Sequence, residues 1–100
     1  MNEKLERALE RTIELLENCK HSDKAVWFRD HLHRLRDEGS QPSAIRETAE
    51  AIRSVLAGMG SFSDLSLIPS TECGLSIRDA HQLQWRLVEE LDSVTEDILR

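Results

Sequence analysis

Residues Ser76–Leu99 read SIRDAHQLQWRLVEELDSVTEDIL, and this stretch decides the fold. Ala80, Leu83, Leu87, Leu91, Val94 and Ile98 recur every three or four positions, the period of one apolar stripe on an α-helix. Ser76 and Asp79 are spaced as a capping box, in which each side chain accepts the other's backbone N–H. The spacing predicts a helix over Ile77–Leu99, about 34 Å long at the usual rise per residue. An apolar stripe of that length needs other helices to cover it, so the same pattern is expected elsewhere in the chain.

It is found three more times. Leu5, Leu9, Ile13 and Leu16 form a stripe over about Asn2–Asn18, flanked by Ala8, Thr12 and Leu15. The opposite face mixes Glu3, Glu6, Glu10, Glu14 and Glu17 with Arg7 and Arg11, as a solvated face does. Ser22 reads as the N-cap of a second helix over about Asp23–Glu38, with Ala25, Phe28, Leu32 and Leu35 inward and Gly39 as its stop. Pro42 fits the first turn of a third helix carrying Ile45, Ala49, Ile52 and Leu56, which the glycine signal ends at Gly58. The expected architecture is all-α: an antiparallel four-helix bundle in one domain, residues 1–100, with an irregular crossover at about 58–75. Within that crossover Leu65–Ile68 either pairs as a short strand or lies over the bundle end.

Composition narrows function without naming it. The chain has 100 residues, a formal net charge of −6 and 39% hydrophobic residues. That balance is too apolar for a disordered chain and too acidic for a nucleic-acid binder, which needs clustered Lys and Arg. No run approaches the roughly 20 apolar residues of a membrane span. The first residues, Met1-Asn2-Glu3-Lys4, carry no signal-peptide pattern, so a cytoplasmic protein is expected. Cys19 and Cys73 are too few for a disulfide framework; thiols fit that setting best, and one bridge is the alternative.

The octapeptide Gly58-Met59-Gly60-Ser61-Phe62-Ser63-Asp64-Leu65 is the part that periodicity does not explain. Its glycines follow a helix, whereas a phosphate-cradling loop places them before one. The structural reading makes Gly58 the helix stop and has Gly60 and Ser61 turn the chain. Phe62 and Leu65 would then cover the bundle end, and Asp64 would brace the turn. Together with the preceding Leu56-Ala57 and the upstream Trp27, this run resembles the signature of a family of small bacterial helical domains without assigned activity. In that signature a helix ends in Gly-Gly-Met-Gly-Ser, followed by an aromatic residue or Leu, then Asn or Ser, Asp and Leu. Ala57 replaces its first glycine. The resemblance covers about ten residues; it implies a bacterial helical domain and nothing catalytic. Toxin–immunity neighbourhoods of some such proteins make an immunity role the expectation it suggests.

Chemistry-bearing constellations are sparse. Cys19-x-His21 and His31-x-His33 offer four candidate ligands, but residues two apart on a helix point in nearly opposite directions, so no metal site and no cofactor are expected. There is no nucleophile elbow, and Cys73 has no local group to activate it. Glu47-x-x-Glu50 and Glu89-x-x-Asp92 resemble the carboxylate pairs of all-α nucleotide pyrophosphohydrolases, which hold Mg²⁺ between helices. The last helix offers another reading. Glu89, Glu90, Asp92, Glu96 and Asp97 fall between Arg86 and Arg100 with no base among them, and Glu89, Asp92 and Glu96 share one face. A stripe of one sign steers a basic partner. Trp85 sits roughly opposite the apolar stripe of the same helix and is a candidate for a partner interface or, like Trp27, for a subunit interface; packing against the crossover loop is the alternative for Trp85. The leading reading is therefore a non-enzymatic acidic protein-binding module, with an immunity role as its specific form, that docks a basic protein surface through Trp85, Glu89, Asp92 and Glu96. A Mg²⁺-dependent hydrolase and a homo-oligomer are the alternatives.

Overall fold

A computed structural model of the protein describes residues 3–38, 41–56 and 66–100. Four helices carry the chain: α1 (Glu3–Asn18), α2 (Ser22–Glu38), α3 (Pro42–Ser54) and α4 (Ile77–Leu99). No strand occurs among the described residues, so Leu65–Ile68 forms none over its described part, Ser66–Ile68.

Local chemistry sets the helix ends. At the end of α1, the His21 N–H donates to the Leu16 carbonyl at 2.8 Å and the Lys20 N–H to the Glu17 carbonyl at 3.3 Å. Those two bonds make a Schellman turn, which requires a left-handed residue, here Lys20 at φ 63°. The turn hands the chain directly to α2, whose first helical bond runs from the Ala25 N–H to the His21 carbonyl. His21 thus occupies the cap position expected of Ser22, which lies one residue inside. At α4, both halves of the Ser76/Asp79 capping box form, at 3.0 and 3.3 Å.

α1 packs on α2 and α4, and α3 packs on the same two, while the diagonal pairs do not touch. Arg36 near the end of α2 pairs with Glu6 and Glu10 near the start of α1, and Arg29 pairs with Glu17, so α1 and α2 run antiparallel. Arg11 meets Glu90 at 3.5 Å, and Glu3 and Lys4 lie beside Val94, Asp97 and Ile98, which together set α4 antiparallel to α1 as well. The core between them is aliphatic: Leu5, Leu9, Leu16, Leu35, Ile52 and Leu91 are fully buried. Each such side chain contributes roughly 1.5–3 kcal/mol on burial. Thr12, Thr48 and Thr95 enter this core without penalty because each hydroxyl donates to the carbonyl four residues earlier.

The third helix departs from expectation. It stops at Ser54, four residues short of Gly58, because the Ser54 hydroxyl turns back onto the Ala51 carbonyl and the chain tightens. The Val55 and Leu56 N–H groups bond to Ile52 and Arg53, three residues back. Leu56 is nonetheless buried, so the apolar period outlasts the helix that it signalled. Arg53 at the end of α3 lies against Asp92, so α3 stops beside the C-terminal third of α4. The first turns of α4 therefore extend beyond α3. Above them, residues 66–76 lie over the bundle end: Leu67 is buried, the Ser70 N–H donates to the Asn18 carbonyl at 2.8 Å, and His21 Nε2 bonds the Ser66 carbonyl at 3.0 Å.

Candidate functional site

The inward side of α4 is set by its apolar residues, and the rest of the helix follows from that rotation. Ala80, Gln84, Leu87, Leu91 and Thr95 are buried, with Leu83, Val94 and Ile98 half-buried at the margin. The buried line is thus turned slightly from the one that apolar residues alone define, and Gln84, 1% exposed, belongs to it. His81 Nδ1 lies 3.1 Å from its side-chain oxygen.

On the opposite side, Trp85, Glu89, Asp92 and Glu96 are exposed and fall within about 60° of one another at 100° per residue. The structure therefore brings all four expected partner-binding residues onto one solvent-facing stripe. Trp85 is 56% exposed and Ile77 is 59% exposed, and both border one shallow depression with Arg78, His81 and Gln82.

The charge of the stripe is uneven. Asp92 meets Arg53 at 3.1 Å, and the same Arg53 nitrogen donates to the Asp92 carbonyl at 3.0 Å and to Thr95 Oγ1 at 3.2 Å. Glu96 and Asp97 share Arg100, at 3.4 and 3.9 Å, and Glu90 takes Arg11. Glu89 alone among these acids has no cation within 4 Å among the described residues. Arg53 was not foreseen as part of this face, since nothing local links positions 39 residues apart. The alignment of Trp85 with Glu89 and Asp92, by contrast, was available in the i, i+4, i+7 spacing.

The other constellations do not assemble. Glu47 pairs with Arg34 on α2 rather than with Asp92, and no three His, Cys, Asp or Glu side chains cluster as a cation site among the described residues. His31 is stacked on Trp27, with centroids 4.1 Å apart, and burial followed by the Arg34 charge holds its imidazole below the ordinary value. Trp27 also meets Phe28 edge-on at 4.9 Å, so this tryptophan is occupied within the fold. No described helix is long and apolar enough to cross a membrane. The expected loop residues Gly58, Gly60, Ser61, Phe62 and Asp64 lie outside the described residues. No family model, no curated protein and no solved structure matches this chain.

Proposed function

We propose that this protein is a non-enzymatic binding module that docks a protein with a basic surface through the outward stripe of α4. The observation that carries the reading is Trp85, more than half exposed and one helical turn from the uncompensated Glu89. Trp supplies the desolvated anchor of such an interface, and the carboxylates supply steering and register. Asp92 and Glu96 retain exposed carboxylates despite their arginines, and those surface pairs are weak enough to be exchanged for a partner's. An immunity-type role, the masking of a basic toxin surface, is the specific form of this reading. The hydrolase alternative gains nothing from Glu47, Glu50, Glu89 and Asp92, which do not converge.

The test places a photocrosslinking residue at position 85 and, as control, at Asp30 on the exposed side of α2. In the cells that make the protein, position 85 should trap a basic protein and position 30 should not. Purified partner should associate several-fold more slowly with the E89K/D92K/E96K variant. The wild-type rate should fall as salt shortens the Debye length from about 10 Å at 0.1 M to about 3 Å at 1 M. Equal trapping at both positions, or a rate indifferent to salt and to charge reversal, would overturn the proposal. Adducts of the chain with itself would replace it by self-association, and Mg²⁺-dependent nucleotide turnover lost in E47Q would replace it by hydrolysis.

A further inference from the structure

Cys19 and Cys73 are the only cysteines of the chain, more than half its length apart, and the fold brings their segments together. Cys19 sits in the turn that ends α1, its side chain 3% exposed. The preceding carbonyl, that of Asn18, accepts the Ser70 N–H at 2.8 Å, which pins residues 66–76 to this corner. From there the chain turns back: the Cys73 N–H and its thiol both point to the Ser70 carbonyl, the Sγ at 3.2 Å. Cys73 is half-buried and borders a cleft of about 380 Å³ between α1 and α4, with Asn18, Leu75, Leu83, Arg11 and Arg86 around it. One thiol thus borders a cleft, and the other is buried in the core.

We propose that Cys19 and Cys73 form an oxidisable dithiol that closes to an intramolecular disulfide when a hydroperoxide enters the cleft beside Cys73. The Cys73 thiolate attacks the terminal peroxide oxygen: the S–O bond forms, the O–O bond breaks, and hydroxide leaves, giving the sulfenic acid. The Cys19 thiolate then attacks the Cys73 sulfur: the S–S bond forms, the S–O bond breaks, and a second hydroxide leaves with the remaining proton balance as water. In total two thiols and one hydrogen peroxide give one disulfide and two waters. The order of the two steps follows from burial. Desolvation first, and the neighbouring Cys73 thiol second, push the Cys19 thiol up, so Cys19 is the poorer first nucleophile and serves as the resolving group. The bridge adds a covalent clamp between the entry to α4 and the α1–α2 corner, where the Ser70–Asn18 and His21–Ser66 hydrogen bonds now hold it. It is independent of the docking stripe on the outer side of α4.

The experiment treats the reduced, folded protein with hydrogen peroxide and follows free thiols, intact mass and cross-linked peptides. Thiols should fall from two to zero, with a mass loss of two hydrogens, a peptide joining Cys19 to Cys73 and no dimer on a non-reducing gel. Closure of the sulfenic acid should be about tenfold or more faster in the folded protein than in urea, where only chain diffusion brings the sulfurs together. C19S should stop at a Cys73 sulfenic acid that dimedone traps, while C73S should keep a Cys19 thiol resistant to peroxide under native conditions. Circular dichroism verifies that both variants fold, and the wild-type peptide map stands without them. Intermolecular dimers, a bridge formed only in urea, or dimedone labelling confined to Cys19 would each overturn the proposal.

Discussion

The seam between α1 and α2 and the outer stripe of α4 are built from the same kinds of residue and reach opposite states. In the seam, Glu6 and Glu10 take Arg36 and Glu17 takes Arg29, while Arg34 of α2 bridges Glu38 on its own helix and Glu47 on α3. Its tryptophan, Trp27, is held between His31 and Phe28. On α4, Trp85 stands in solvent and Glu89 has no cation among the described residues. The seam is closed because a second helix supplies the complementary sign along the whole of its length. The stripe stays open because α3 ends beside Asp92, and its one arginine there, Arg53, reaches no further up α4. The difference teaches that whether the acids and the aromatic residue of a helix face stay in solvent depends on what the neighbouring helices cover, rather than on the composition of the face itself.

The largest effect should separate the two sides of α4. Leu91→Ala, at a fully buried site, should cost about 2–5 kcal/mol in urea unfolding, the range for a core leucine whose cavity cannot collapse. Trp85→Ala should stay within about 0.5 kcal/mol, as surface substitutions do, while losing the partner adduct. A loss of stability at Trp85 approaching that at Leu91 would show the tryptophan to be packing, and the contrast between seam and stripe would collapse.

A middle-sized effect should distinguish the arginines of the two regions. Arg53→Ala should cost about 1 kcal/mol, since it deprives the Asp92 carbonyl and Thr95 of a donor as well as the Asp92 carboxylate of a charge. Arg36→Ala should cost less than about 1 kcal/mol, since its pairs with Glu6 and Glu10 are exposed. Denaturation in 1 M salt should erase most of the Arg36 effect and spare most of that of Arg53, whose neutral acceptors salt does not screen. Equal salt sensitivity would mean that the α3–α4 contact is no more specific than the seam.

The smallest effect concerns the sheltered tryptophan. The His31 imidazole is held below its ordinary value, so the unfolded chain binds that proton more readily than the folded one. Stability should therefore decline as pH falls through the ordinary histidine range near 6.5 and level off below the folded value. His31→Gln should flatten that slope, read by urea titration across pH. An unchanged slope would place the titrating group elsewhere and leave Trp27 less enclosed than its stacking implies.

How much of this was legible follows from the range over which each signal acts. Helix existence, the capping box of α4 and the solvent-facing position of Trp85 were readable, because a period of three to four residues and a cap spanning three are local properties of the chain. The end of α3 was misread for the same reason: Gly58 is a strong local stop, yet a serine hydroxyl and a tightened turn had already ended the helix at Ser54. Gln84 was missed because a hydropathy stripe has no place for a polar residue, even one whose partner, His81, lies one turn away on the same helix.

By itself, then, the sequence determined four amphipathic helices, the capping box of the last one and its acidic face. Tertiary structure alone decided which carboxylates on that face are neutralised, where α3 leaves α4 uncovered, and that the corner holding Cys19 receives the segment of Cys73. The physical reason is distance along the chain. Helical periodicity records burial one turn at a time, whereas an ion pair or a thiol pair between remote positions depends on the register in which whole helices meet, and that register is fixed only when the core packs.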